Sequence, residues 1–160
     1  MTAQYTYWIS TALLSLLYLT SATLYVAKTA WVRQQLAELG YPGYLVPLLV
    51  VVKVLAVAAV LWRVSVPLSD LAYAGMFFHL LLASLAHVGA RKAREAMPAA
   101  VGLVLLAASW TTQNAAREIP SPYGVVAAAN VPAFLASKDA QFVTGYSLAP
   151  DGGFIIDSAR

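Results

Sequence analysis

The stretch GYLVPLLVVVKVLAVAAVLW, residues 43–62, decides the fold class, because its twenty residues carry a single charge, on Lys53. An α-helix rises about 1.5 Å per residue, so about 20 mostly apolar residues cross the hydrocarbon layer of a bilayer. Three more such stretches lie at 7–27, 71–90 and 97–114, and none of them contains Asp, Glu, Lys or Arg. We therefore predict an all-α membrane protein with four transmembrane helices.

The composition of the whole chain agrees with this class. Of its 160 residues 61% are hydrophobic and 11% are charged, whereas a soluble domain has about 25% charged residues. The net charge of +3 forms no basic patch suited to a phosphate backbone, which argues against nucleic acid as a partner. The chain has no cysteine, so disulfides and thiolate metal sites are excluded. The partner that composition implies is the lipid bilayer.

Short connections between the spans predict an antiparallel four-helix bundle. Residues 30–41 predict a short amphipathic helix on the membrane surface between the first two spans, with Gly40 as its cap and Pro42 as its stop. Five cations near the span ends fall on one side and two on the other: Lys28, Arg33, Arg91, Lys92 and Arg94 against Arg63 and Arg117. Since cytoplasmic loops carry the excess of Lys and Arg, we place loops 28–42 and 91–96 in the cytoplasm and both termini outside the cell membrane.

Lys53 lies near the middle of its span, where a lysine costs roughly 2.5–3.5 kcal/mol on insertion scales. It should therefore face the bundle interior, together with His79 and Tyr18, which occupy similar depths in the third and first spans. We predict that these three residues line a ligand pocket at the bilayer midplane. No Asp or Glu lies inside the spans, so we predict no metal site there.

Helical spacing extends this interior surface beyond the midplane. Polar and small residues recur at intervals of three, four or seven along the spans, which places them in stripes on one face of each helix. The three stripes are Thr11, Ser15, Tyr18, Ala22 and Tyr25; Gly75, His79, Ala83 and His87; and Gly102, Ser109 and Gln113. They add Tyr25 and His87 to the pocket candidates. The alternative is that the stripes only form interhelical hydrogen bonds. For His87, near the cytoplasmic end, the alternative is placement at the membrane interface.

Two segments carry a family resemblance: LGYPGYLVPLLVVVKVLAVAAVL (39–61) and DLAYAGMFFHLLLASLAHVGA (70–90). Over roughly residues 1–115 the chain resembles the DoxX-like family of small four-helix membrane proteins. The resemblance implies a four-helix bundle and, by analogy with the DoxX proteins, association with membrane redox systems, including quinone-linked oxidoreductases. It transfers this theme and no reaction, and it assigns no bound cofactor, with quinone as the candidate. Lys53 and His87 match the family, whereas His79 occupies a position that we expect to vary.

The composition changes after the fourth span, and we divide the chain into domains 1–117 and 118–160. The second part holds four of the eight prolines and four of the nine glycines, so we expect a loosely ordered tail. Its segment AFLASKDAQFVTGYSLAPDGGF, residues 133–154, resembles the C-terminal end of short-chain dehydrogenases/reductases, a likeness that extends over about 125–156. A fusion or frameshift remnant and a partner-docking tail are both open readings. The cofactor loop and the Tyr-x-x-x-Lys motif of that family are absent, so dehydrogenase activity is not expected.

Three functions fit these observations. The first is a subunit or accessory of a membrane redox system with a midplane pocket for a small apolar or quinone-like ligand. The second is a carrier of a small molecule or of protons, in which the same residues relay charge. The third is a non-catalytic structural or interaction protein with the tail as its docking strand. A membrane oxidoreductase and a second copy of the chain are the candidate partners. No motif in the chain makes it an enzyme on its own.

Overall fold

A computed structural model describes residues 1–124, which form five α-helices. The helices are α1 (Thr2–Ala27), α2 (Thr29–Glu38), α3 (Leu45–Trp62), α4 (Val66–Gly89) and α5 (Met97–Thr112), and short 3₁₀ turns at Ala93–Ala96 and Gln113–Ala115 flank α5. The four predicted spans are confirmed as α1, α3, α4 and α5, each apolar enough, with the flanking turns for α5, to cross a membrane. α4 begins earlier than predicted because Pro67 stands in its first turn, where the missing N–H has no helical partner to lose.

The four long helices form the predicted bundle. α1 packs against α3 and α5, and α4 packs against the same two helices on the opposite side, so α1 and α4 are diagonal to each other. The interior holds large side chains from all four helices, among them Leu14, Val60, Met76, Leu80 and Leu106. Gly102 lets α5 approach closely, because a Cβ there would lie 2.8 Å from Cδ2 of Leu80.

The outer surface of the bundle is apolar. Leu16, Leu55, Leu71 and Val104 are each 62–70% exposed, and a soluble protein rarely exposes so continuous an apolar surface. These side chains are suited to contact with lipid. Helix length, surface and composition together define a multi-pass membrane protein embedded in a lipid bilayer.

The short helix predicted over 30–41 is present as α2, which ends three residues earlier, at Glu38, and covers one end of the bundle. It buries Val32 and Leu36 against Val46 of α3. Gly40 ends it with a φ of 83°, a left-handed conformation that glycine adopts without steric cost. The N–H of Gly40 donates to the carbonyl of Ala37 at 3.0 Å, and the N–H of Tyr41 donates to that of Leu36 at 2.8 Å. This double hydrogen bond is a Schellman motif, so the predicted cap is confirmed.

The first residues of the predicted tail contact the other end of the bundle. Ser121 donates its hydroxyl to the Asp70 carboxylate at 2.7 Å, and its N–H donates to Oδ1 of Asn114 at 2.7 Å. The rest of the tail, including the segment 125–156 that resembles dehydrogenases and the expected loose order, lies outside the described residues.

Candidate functional site

Lys53 lies inside the bundle, with only 4% of its surface exposed. Its Nζ donates a hydrogen bond to Oγ of Ser21 at 2.9 Å and lies 3.7 Å from the centre of the Tyr25 ring. A ring face attracts a cation through its quadrupole, and the attraction strengthens away from water. Within residues 1–124, no carboxylate lies within ion-pair distance of this ammonium group. A hydroxyl and an aromatic face therefore hold the lysine.

Tyr18 and His79 form a second polar contact at the same level. The Tyr18 hydroxyl lies 3.1 Å from Nδ1 of His79 and also donates to the carbonyl of Met76 at 3.2 Å. The two rings meet edge to face with centres 5.6 Å apart. The other ring nitrogen of His79, Nε2, has no hydrogen-bond partner in the described part of the chain. That nitrogen is available to a ligand as donor or acceptor, depending on the tautomer.

Two cavities meet at these residues. The first has a volume of about 490 Å³ and lies in the half of the bundle nearer α2, where Ser21, Tyr25 and Gln35 line it. The second, of about 360 Å³, lies between α3 and α4 toward the opposite end and has mostly apolar walls. Tyr18, Lys53 and His79 are the residues that line both. The predicted trio thus forms the boundary between two cavities.

The other two predicted pocket residues are separated from each other. Tyr25 lies against Lys53, as described above. His87 lines the outer end of the first cavity, two helical turns and about 12 Å along α4 from His79. Its Nδ1 lies 3.5 Å from the Glu95 carboxylate. His87 thus lies in the last turn of α4, at the mouth of the cavity.

A surface ion pair joins the two loops next to this mouth. Nζ of Lys92, after α4, donates to Oε2 of Glu38, at the end of α2, at 2.5 Å. The hydrogen bond and the charge of Lys92 lower the pKa of Glu38 below its usual value. Loops 28–42 and 91–96 therefore lie at the same end of the bundle.

The polar stripe of α1 divides into two parts. In the half of α1 nearer α2, Tyr18 and Tyr25 line the cavities. In the other half, Oγ1 of Thr11 lies 2.6 Å from Oγ of Ser109, and the same Oγ lies 2.7 Å from the Tyr73 hydroxyl. These three hydroxyls satisfy one another inside the bundle, as the packing interpretation predicts. The stripe of Gly102, Ser109 and Gln113 is likewise buried.

Sequence reasoning missed two residues that matter to this arrangement. Ser21, the partner of Lys53, could have been found from its position between Tyr18 and Tyr25 on the same helix. Arg117, counted only for topology, donates from Nε to the Tyr7 hydroxyl at 2.7 Å and from Nη2 to the carbonyl of Val60 at 3.0 Å. Its guanidinium carbon also lies 4.8 Å from the centre of the Trp8 ring. Arg117, which follows α5 and its 3₁₀ turn, therefore links α1 and α3 at the end opposite α2.

The architecture and the site define a small four-span helical membrane protein with a polar junction between two cavities. The chain belongs to the DoxX-like family, whose match covers residues 9–111 and so nearly all of the four spans. Among the curated proteins and the solved structures, none is significantly similar to it.

Proposed function

We propose that this protein is a subunit or accessory of a membrane redox system and binds a quinone-like ligand at the junction of its two cavities. The observation that supports the proposal is the hydrogen bonding of the Lys53 ammonium group. Its ammonium group has three N–H donors, and the structure gives a hydrogen bond for one of them, to Ser21. The remaining donors suit a neutral carbonyl acceptor, which a quinone ring supplies on each of two sides.

The surroundings of Lys53 fit an aromatic ring with polar edges. The ring of Tyr25 lies on one side of the ammonium group, and Nε2 of His79 and the Tyr18 hydroxyl lie at the same junction. Both cavity volumes fall within the roughly 300–1,000 Å³ typical of small-molecule sites. The redox association that resemblance to DoxX proteins implies agrees with this class of ligand.

The test is binding of a quinone to purified protein in lipid nanodiscs. Quinones quench indole fluorescence, and Trp31 lines the first cavity, so quenching of tryptophan emission reports binding. We expect Lys53→Leu to raise the Kd for a benzoquinone about tenfold or more, the effect of one charge-assisted hydrogen bond. Lys28→Leu is the matched control, because Lys28 is exposed between α1 and α2. Equal Kd values for the two folded variants would remove Lys53 from the binding site.

A second function is favoured by the position of the cavities in opposite halves of the bundle. With Tyr18, Lys53 and His79 between them, the cavities form a route along which a proton or small molecule could cross if the junction opened. Proteoliposomes with an imposed pH gradient test this carrier function. It predicts a flux that falls with His79→Leu, and a flux equal to that of empty liposomes would contradict it.

A further inference from the structure

We infer that the second cavity holds the hydrocarbon chain of the ligand, and that the ligand reaches Lys53 from the lipid through the cleft between α3 and α4. The inference rests on the proposed function, since it takes the polar ring of the ligand to bind at the junction. It adds a direction of access and a ligand class, namely a quinone with a long apolar chain.

Small residues keep this cleft open. Ala56 and Ala59 of α3 face Ala72 and Gly75 of α4 across the second cavity. Small residues usually draw membrane helices together, yet a Cβ added at Gly75 would have no atom within 4 Å. The contrast with Gly102, which packs directly against Leu80, shows that Gly75 borders open space and makes no close helix contact there.

The cleft opens to the side of the bundle. Three of the residues around it, Leu55, Leu68 and Leu71, are 50–68% exposed on the apolar outer surface. In the bilayer these side chains contact lipid, so the cavity between them connects with the hydrocarbon layer. A quinone already dissolved in lipid could enter here without crossing water.

The first cavity is the less suitable place for a hydrocarbon chain. Most of its walls are apolar, but its outer end, beyond the junction, carries Gln35, His87 and Glu95. A chain directed there would remove water from these polar groups without replacing its hydrogen bonds. A chain in the second cavity would meet apolar walls and desolvate no such groups. The ring should therefore bind at Tyr18, Lys53 and His79, with its chain in the second cavity.

The experiment compares a benzoquinone without a side chain with the same ring bearing a long alkyl chain. Gly75→Leu should fill the cleft, and leucine suits a helix better than glycine, so the variant should fold. Its side chain would occupy the space proposed for the ligand chain and should raise the Kd of the long-chain quinone about tenfold or more, with little change for the chainless one, which still reaches the junction through the first cavity. Ala74→Leu is the matched control, because Ala74 is exposed like Gly75 but lines neither of the two cavities.

Lys53→Leu, measured in parallel, separates failure of this inference from failure of the proposed function. Suppose that Lys53→Leu raises the Kd of both quinones, but folded Gly75→Leu binds both with the Kd of the native protein. The chain then does not use the cleft, and the inference is wrong. If Lys53→Leu weakens neither quinone, the proposed function fails and the inference fails with it. Selective loss of the long-chain quinone in Gly75→Leu, with loss of both in Lys53→Leu, supports both.

Discussion

The hydroxyl of Tyr18 lies 3.1 Å from Nδ1 of His79, although the helices that carry them, α1 and α4, are diagonal in the bundle. Each of these helices packs against α3 and α5 and not against the other. The tyrosine therefore reaches through the interior to connect the two helices that helix packing leaves apart, and it does so at the level of Lys53.

Tyr18→Phe tests this connection. The substitution removes the contact with His79 and the hydrogen bond to the Met76 carbonyl, so we expect a loss of about 1–2 kcal/mol in the free energy of unfolding. Denaturant unfolding in mixed micelles measures it. Tyr5→Phe is the control, because Tyr5 lies on the same helix and is 65% exposed. A stability equal to that of the control would show that the diagonal contact contributes nothing.

The hydroxyls of Thr11, Tyr73 and Ser109 should contribute to the free energy of unfolding and leave the Kd for the quinone unchanged. Ser109→Ala deprives both Thr11 and Tyr73 of their partner, at an expected cost of about 1–3 kcal/mol. Thr111→Ala is the comparison, since the exposed Thr111 hydroxyl bonds only to carbonyls of its own helix. Unfolding and quinone quenching are measured on both variants. A Kd changed by Ser109→Ala in folded protein would extend the site to this cluster.

Membrane orientation can be measured directly, because the native chain has no cysteine to interfere with labelling. Ala93→Cys and Ser65→Cys place exposed thiols at opposite ends of the bundle without changing any charge. With loops 28–42 and 91–96 in the cytoplasm, an impermeant maleimide should label position 65 in intact cells and position 93 only after permeabilisation. The reverse pattern would invert the proposed topology.

The ion pair between Glu38 and Lys92 should stabilise the protein in a pH-dependent manner. The folded pKa of Glu38 is lowered by Lys92, so its contribution is present above the unfolded pKa, about 4.3, and is lost as the pH falls through the folded value. We expect the difference in melting temperature between the native protein and Glu38→Gln to be small, because both residues are exposed, and to shrink on acidification or in high salt. Glu118→Gln, the same substitution at an exposed carboxylate that has no ion-pair partner among the described residues, reports any general charge effect. A difference that persists at low pH would contradict the ion pair as its source.

Much of the fold follows from local sequence signals. Charge-free stretches of sufficient length locate the spans, and Gly40 followed by Pro42 ends α2 through backbone preferences that act within a few residues. Lys53 likewise indicates an interior site, because a charge in the hydrocarbon layer is costly wherever its neighbours lie.

The parts that were not predicted depend on distances between helices. Helical spacing places Tyr18, Ser21 and Tyr25 on one half of α1, but only the approach of α3 selects Ser21 as the hydrogen-bond partner of Lys53. The second cavity is similar, since a glycine in a sequence does not reveal whether a neighbouring helix fills the space beside it. Gly75 and Gly102 look alike in the sequence and differ in their surroundings.

Arg117 determines how far a truncated form of this protein should extend toward the C-terminus. The carbonyls of Val60 and Leu61 lie in the last turn of α3, so no later N–H of the helix donates to them. The guanidinium group of Arg117 donates to both, at 3.0 and 3.1 Å. The family match ends at residue 111, so a protein shortened to that match would lose this cap and the link to Tyr7. Truncations meant to isolate the bundle should therefore retain residue 117.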